Sequence, residues 1–377
     1  MELKHGFISA DDHVQEHPEV WTSRMSKAKW GDRIPHIERQ ADGTERWVVN
    51  GQKIDLPGVA LAGAAMPDRA REPQRWADVP SIARIPAERL TAMDVDGVDC
   101  SVLYPTVAGR AGETFGQITD PALELACVQA YNDFLIEEWA AASPRFIPQC
   151  ILPLAPVDAA VTELKRAVAK GHRGLVFPSV PMMLREVPHI NDSDYDPIWA
   201  TCQDLEIPVC FHSGASREIQ FPPYEKFTPE IAAALEALTR PVSSVLVMAN
   251  FLFSQIPDRF PRLKFIFAET SLAWGAYELE LADHQFERQR LHTEGYQYKP
   301  TELFRRQCHL VGWFDTSGLK TREFLSVGSL LWSTNFPLAT STWPESKRVI
   351  ARCFEGIPEK DRKQVLAENA AKLYKVR

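Results

Sequence analysis

The sequence predicts an α/β protein of the (β/α)₈ TIM-barrel class, distorted by a long insertion after the first strand. Three observations carry this. About eight short apolar runs of strand length are spaced along the chain, and segments of helical period lie between them. Four of these runs end in a polar residue, and chemistry in such barrels gathers where strands end. The 377 residues, 45% hydrophobic and 24% charged, suit one barrel spanning 1–377 with an insertion at about 18–85.

The first strand runs through Phe7, Ile8 and Ala10, with Asp11 and His13 at its C-terminal end. The insertion follows, placed as a lid over the site, with a β-hairpin at 46–54 turning at Asn50-Gly51. Alternation then becomes regular. A helix at 86–96, with Leu90, Met93 and Val95 on one side, stops at Gly97 and leads into a strand at 98–105. A helix at 121–143 precedes a strand at 146–152, and a helix at 157–170 precedes a strand at 174–178. A helix at 195–205 leads to the strand 208–212, which ends in His212-Ser213-Gly214. A long helical region at 229–253, a strand at 263–269 and a helix at 274–289 come next. Strands at 309–314 and 329–335 complete the barrel, and helices at 344–354 and 359–374 close the chain.

The strand-end residues are Asp11, His13, His212, Glu269 and Asn335, with Tyr104, Gln149 and His309 near other strand ends or strand bodies. Asp11 and His13 are two apart on a strand and so point to one side. Two imidazoles and two carboxylates meeting at one point make a cage for a divalent metal, and zinc, manganese and iron all suit it. Taken singly, His212 also reads as a hydrogen-bonded core histidine and Glu269 as a helix cap.

Several segments resemble the amidohydrolase-2 family, the branch of the metal-dependent amidohydrolase superfamily that holds aminocarboxymuconate-semialdehyde and resorcylate-type decarboxylases. They are Ala10-Asp11-Asp12-His13-Val14-Gln15-Glu16, Met93-Asp94-Val95-Asp96-Gly97-Val98-Asp99 and Tyr195-Asp196-Pro197-Ile198-Trp199. With them go Phe211-His212-Ser213-Gly214, Phe267-Ala268-Glu269, Leu331-Trp332-Ser333-Thr334-Asn335-Phe336-Pro337 and Glu368-Asn369-Ala370-Ala371-Lys372-Leu373-Tyr374. The resemblance covers nearly the whole chain. It implies one divalent metal at the barrel mouth, with ligands falling on Asp11, His13 and His212. Three departures stand out. The family's fourth ligand, an Asp, falls on Asn335; a Pro-His falls on Pro337-Leu338; and the decarboxylases' catalytic His falls on Glu269.

The leading expectation is therefore a metal-dependent enzyme that acts on a small organic acid, amide or ester by hydrolysis or non-oxidative carbon–carbon cleavage. Glu269 is the expected general base or extra ligand, with Asn335 and Glu16 beside it. If Glu16 and Glu269 both ligate, two metals fit, and the alternative is a dinuclear iron or manganese oxygenase. A third reading is a degenerate structural subunit working with an active paralogue. Arg217 reads as a carboxylate clamp or, more simply, as a solvated loop arginine. Phe211, Trp274, Trp313, Trp332 and Trp343 read as an aromatic wall or as plain core.

The net charge of −8 speaks against nucleic acid or an anionic membrane as partner, and no apolar run of membrane-span length stands out. The expected partner is a small-molecule substrate. The resemblance adds a homodimer, or a hetero-oligomer with a paralogue. Seven scattered cysteines without a Cys-x-x-Cys, and no basic-plus-apolar leader, lead to the expectation of a cytoplasmic protein.

Overall fold

Strand β1 (Ile8–His13) starts the chain, and the insertion after it carries a small antiparallel sheet of β2 (His36–Arg39), β3 (Glu45–Val49) and β4 (Gln52–Lys53). Seven more strands follow: β5 (Cys100–Tyr104), β6 (Phe146–Cys150), β7 (Gly174–Val176), β8 (Val209–His212), β9 (Phe265–Ala268), β10 (Cys308–Gly312) and β11 (Leu330–Trp332). With β1 they form one eight-stranded parallel sheet in chain order. This is the predicted (β/α)₈ barrel. The computed structural model describes residues 3–69, 71–213 and 226–376. Among them are eight helices of eight residues or more: α1 (Pro86–Asp96), α2 (Pro121–Phe134), α3 (Val157–Lys170), α4 (Asp196–Leu205), α5 (Pro229–Leu252), α6 (Ala273–Arg288), α7 (Pro300–Gln307) and α8 (Ser346–Cys353).

The barrel strands are buried on both faces, which is why they read as continuous apolar runs rather than as alternation. In the insertion, the hairpin turns where expected, with Asn50 and Gly51 both in the left-handed region that a two-residue turn needs. Further along, the Leu61 amide donates to Gln15 Oε1 (2.8 Å) and the Ala64 amide to the Pro337 carbonyl (3.1 Å). That part of the insertion thus lies against the loop that follows β11.

No strand ladder joins β1 to β11, and the barrel is closed there by side chains and isolated backbone bonds. The His13 amide donates to the Phe336 carbonyl (2.7 Å), and the Asn335 amide to the Asp11 carbonyl (3.1 Å). Asp12 is the clamp. It accepts from the Ser101 hydroxyl (2.6 Å), the Thr334 hydroxyl (2.6 Å) and the Phe336 amide (2.9 Å), so it ties β5, β1 and the β11 loop together. Burial raises its carboxyl to about 6 against these bonds and the field of Arg89. Arg89, itself buried, donates to the carbonyls of His13, Ala83 and Ile82.

The structure corrects the expected grouping of Leu90, Met93 and Val95 on one side of α1. Met93 is buried there, but with Arg89, Ala92 and Asp96, whereas Val95 is 60% exposed. Two residues along a helix are roughly 200° apart, so Met93 and Val95 cannot share a face. Arg89 and Asp96 take the inner positions because each is bonded there, Asp96 to the Ser346 amide and hydroxyl. A second correction concerns α5. An apolar window within its stretch Glu230–Leu252 has a mean hydropathy of 1.4 and membrane-span length, against the expectation that no such run exists.

Two stability predictions follow from these contacts. Asp12→Ala strands two hydroxyls, an amide and the Arg89 guanidinium in the interior. It should cost about 3–5 kcal/mol in urea denaturation at pH 7. Glu278 on α6 is only 6% exposed and neither carboxyl oxygen has a hydrogen-bond partner; burial alone pushes it up to about 8. Its folded value lies above the ordinary one, so the fold is favoured while Glu278 is protonated. That contribution is lost as pH rises from about 4.3 through 8. Glu278→Gln should therefore stabilise the protein by roughly 1–3 kcal/mol above pH 8. The gain should shrink toward pH 4, as thermal melts across this range will show.

Candidate metal centre

Relative to β5, β1 contains one extra residue between Ser9 and Asp12. Such a bulge re-aims the side chains after it. Here Asp12 goes to the closure seam, while Asp11 and His13 meet His212 from the end of β8. One ligand atom from each of these three lies within 4.8 Å of the other two. All three side chains are buried.

The tautomers follow from the surroundings. His13 Nδ1 faces the Pro105 carbonyl at 2.9 Å, and His212 Nδ1 faces the Ser213 carbonyl at 2.7 Å. A carbonyl only accepts, so both Nδ1 atoms carry the proton and both neutral rings turn bare Nε2 lone pairs inward. Those Nε2 atoms face each other at 3.2 Å, and each lies 3.5 Å from Asp11 Oδ1. Neither Asp11 oxygen has a hydrogen-bond partner in the protein. Two lone pairs and a carboxylate turned on one point, each imidazole braced by a carbonyl behind it, fit a divalent cation. Burial pushes the Asp11 carboxyl up and, with the field of His212, pulls His13 well down. Burial also works against charge on His212, but Asp11 and Glu269 outweigh it and raise that imidazole.

Glu269 follows β9 with a left-handed backbone (φ 52°), and Asn335 takes the same region (φ 56°). Asn tolerates this conformation, whereas Glu enters it at a cost found mostly at functional sites. Asn335 Nδ2 donates to Glu269 Oε1 at 3.0 Å and to the Thr340 hydroxyl at 2.8 Å. The Ser213 hydroxyl donates to Glu269 Oε2 at 3.3 Å, and that oxygen lies 3.9 Å from His212 Nδ1. Asn335 Oδ1 is left buried and without a hydrogen-bond partner. Glu269 and Asn335 are thus brought to the triad's edge. Glu16 is not. Its carboxylate accepts the Thr106 and Val107 amides (3.1 and 3.0 Å), which organises the loop after β5.

Other expected positions fall out differently. His309 pairs with Ile266 near the start of β10, away from the strand's C-terminal end. Arg217 lies outside the described residues. Phe211 packs among Phe251, Phe265 and Phe267, and Trp332 against Phe354, so both serve the core. Tyr104 does more than its strand-end position suggested, because its ring lies against both imidazoles (centroids 5.8 and 5.2 Å). Arg110, on the loop after β5, belongs to no motif, yet its charge is felt by Asp11, His13, His212 and the half-buried Glu72 of the insertion. Its one legible sign was its place just beyond a strand end.

An eight-stranded parallel barrel with two histidines and an aspartate converging at the ends of β1 and β8 defines a metal-dependent enzyme of the hydrolase or lyase kind. The sequence profile of the amidohydrolase family matches residues 33–376, and the chain belongs to that family. No curated protein matches it in sequence. Among solved structures, it is similar to an amidohydrolase from Mycobacterium avium subsp. paratuberculosis K-10 (TM-score 0.76, 19% identity, covering 99% of this chain and 100% of that one). It is also similar to 5-carboxyvanillate decarboxylase from Sphingomonas paucimobilis (0.66, 19%, 100% of both chains). A third is a dihydroxybenzoic acid decarboxylase from Polaromonas sp. JS666 with bound manganese and the inhibitor 2-nitroresorcinol (0.63, 23%, 83% of this chain and 91% of that one). At these identities the likeness shows the fold.

Elemental analysis of protein purified without added metal should find about one divalent transition metal per chain. His212→Ala should lose it while keeping the wild-type circular dichroism. Equal metal content in the two proteins would remove the triad as the binding site.

Proposed function

We propose that this protein hydrolyses, or decarboxylates without an oxidant, a small organic acid, amide or ester, with Glu269 as its proton carrier. The observation that carries this is the grip on Glu269. Asn335 Nδ2 fixes one carboxylate oxygen and Ser213 Oγ the other, beside His212. Held by Asp11, His13 and His212, a divalent cation supplies Lewis-acid polarisation of a substrate carbonyl or carboxyl oxygen. Asn335 is a neutral amide and takes no proton. Glu16 is engaged by backbone amides and Asp11 by the ligand cluster, so Glu269 is the carboxylate left to move a proton at Oε1 or Oε2. Arg110 adds positive charge to the same space, which suits an anionic substrate. That two of the similar structures are decarboxylases of hydroxylated aromatic acids supports testing that chemistry first.

Two imidazoles and one carboxylate are also the donor set of mononuclear non-haem iron oxygenases, so the first assays belong under both air and nitrogen. A dinuclear centre has less support. Among the described residues one ligand group of this kind forms, and Glu16 lies outside it. Seven buried free thiols fit a reducing, cytoplasmic setting.

Panels of aromatic carboxylates, amides and esters will reveal the turnover. On whichever substrate is found, Glu269→Gln should lower kcat by about 10²–10⁴-fold with unchanged metal content. Wild-type kcat in that variant would remove Glu269 from proton transfer, and turnover that needs dioxygen would replace the hydrolase or lyase reading.

A further inference from the structure

The segment from Glu368 to Tyr374 takes no part in the triad. Its short helix Asn369–Leu373 lies against the start of β11, where Asn369 Nδ2 donates to the carbonyls of Val327 and Leu330, both at 2.8 Å. That is the N-terminal face of the barrel, opposite the metal centre. Tyr374 ends this helix, and its side chain runs into the barrel interior, fully buried. Its ring fills space that a side chain on β7 would otherwise need. A Cβ on Gly174 would lie 3.2 Å from that ring and 2.7 Å from Gln149 Oε1. The Tyr374 hydroxyl donates to Gln149 Oε1 at 3.3 Å, and the Cys210 thiol donates to the same oxygen at 2.8 Å. Burial pushes that thiol up to about 12, so it keeps the proton it donates.

This group reaches the metal ligands through Tyr104. In the β5–β6 ladder Leu103 stands opposite Pro148, so the next residue on each strand brings Tyr104 beside Gln149. The Tyr104 hydroxyl falls among Gln149, Cys210 and Tyr374, and all four side chains are buried. Its ring lies against His13 (5.8 Å) and His212 (5.2 Å), and the next carbonyl in the chain, that of Pro105, orients His13. A single hydrogen bond at Nδ1 fixes a tautomer but lets an imidazole rock about it. A ring packed against the imidazole removes that freedom. Apolar side chains of the same volume would fill this floor without the cost of burying polar groups. Directional bonds do what apolar filling does not, which is to specify one arrangement. We propose, on the metal-dependent reading of the triad, that Tyr104 and Tyr374 are positioning residues of the metal centre. The Tyr374 hydroxyl, through Gln149 and Cys210, holds the Tyr104 ring in place, and that ring sets the planes of His13 and His212.

Cobalt(II) loaded in place of the native metal tests this, because its visible absorption reports the geometry of its ligands. Tyr374→Phe removes one oxygen and keeps the ring beside Gly174. It should shift the cobalt bands and raise the cobalt dissociation constant, measured against a competing chelator, by about tenfold, with unchanged circular dichroism. Tyr104→Phe should do the same. The control is Tyr195→Phe, at a buried tyrosine whose hydroxyl bonds instead to the Pro188 carbonyl (3.2 Å). It should keep the wild-type bands and affinity. Wild-type bands and affinity in both Tyr374→Phe and Tyr104→Phe would overturn the proposal and leave the metal centre standing. Equal shifts in Tyr195→Phe would overturn it as well, by tracing the effect to packing in general. A wild type that takes up no cobalt, or keeps it after His212→Ala, would remove the triad and the proposal together.

Discussion

The seam between the first and the last barrel strand is the constraint on which the rest depends. Every other neighbouring pair in the sheet is held by a ladder. This one is held by Asp12 and a few isolated backbone bonds. The same bonds that close the barrel set the site. The Asn335 amide bonds to the Asp11 carbonyl, and the His13 amide to the Phe336 carbonyl, so the ligand strand and the Asn335 loop cannot shift independently. A cage whose members come from opposite ends of the chain needs such a lock, because a misplacement of about 1 Å is enough to lose a catalytic geometry.

Alternation at the end of the bulged strand β1 lets three successive residues, Asp11, Asp12 and His13, do two jobs. Two of them leave toward the cage and the middle one toward the seam. Arg89 sits behind this arrangement, with its guanidinium over the Phe336 ring at 4.4 Å and bonded to the His13 carbonyl. An unpaired buried cation would be expensive. Here Asp12, an aromatic face and three carbonyls share it, and in return it fixes the backbone of a metal ligand.

The parts of this design that the sequence made legible are those written in local periodicity. Eight apolar runs gave the barrel, and residues two apart at the end of β1 gave Asp11 and His13. The seam was not legible, because Asp12 looks like any acid in a polar turn until residues 334–336 are known to lie beside it. Glu16 shows the opposite error. Its residue type suits a ligand, but two backbone amides from a loop ninety residues away had claimed it, and no pattern along the chain records that. Arg110 was missed for the same reason, since its effect on the cage exists only in three dimensions.

The pair Glu269 and Asn335 is best understood as one unit. The resemblance places a histidine and an aspartate at these positions, a donor facing an acceptor. Here the polarity is reversed, and a carboxylate after β9 accepts from an amide after β11 at 3.0 Å. Two carboxylates at that distance would not both ionise. Glu at 269 therefore favours a neutral donor at 335, and Asn keeps the bond, the left-handed backbone and an unpartnered carbonyl oxygen inside the site. Together with Asp11 the mouth still holds two carboxylates, one now moved to the far side of the cage. On the proposed reading, the absence of aspartate at 335 relocates the proton carrier to Glu269, and Asn335 becomes the group that positions it.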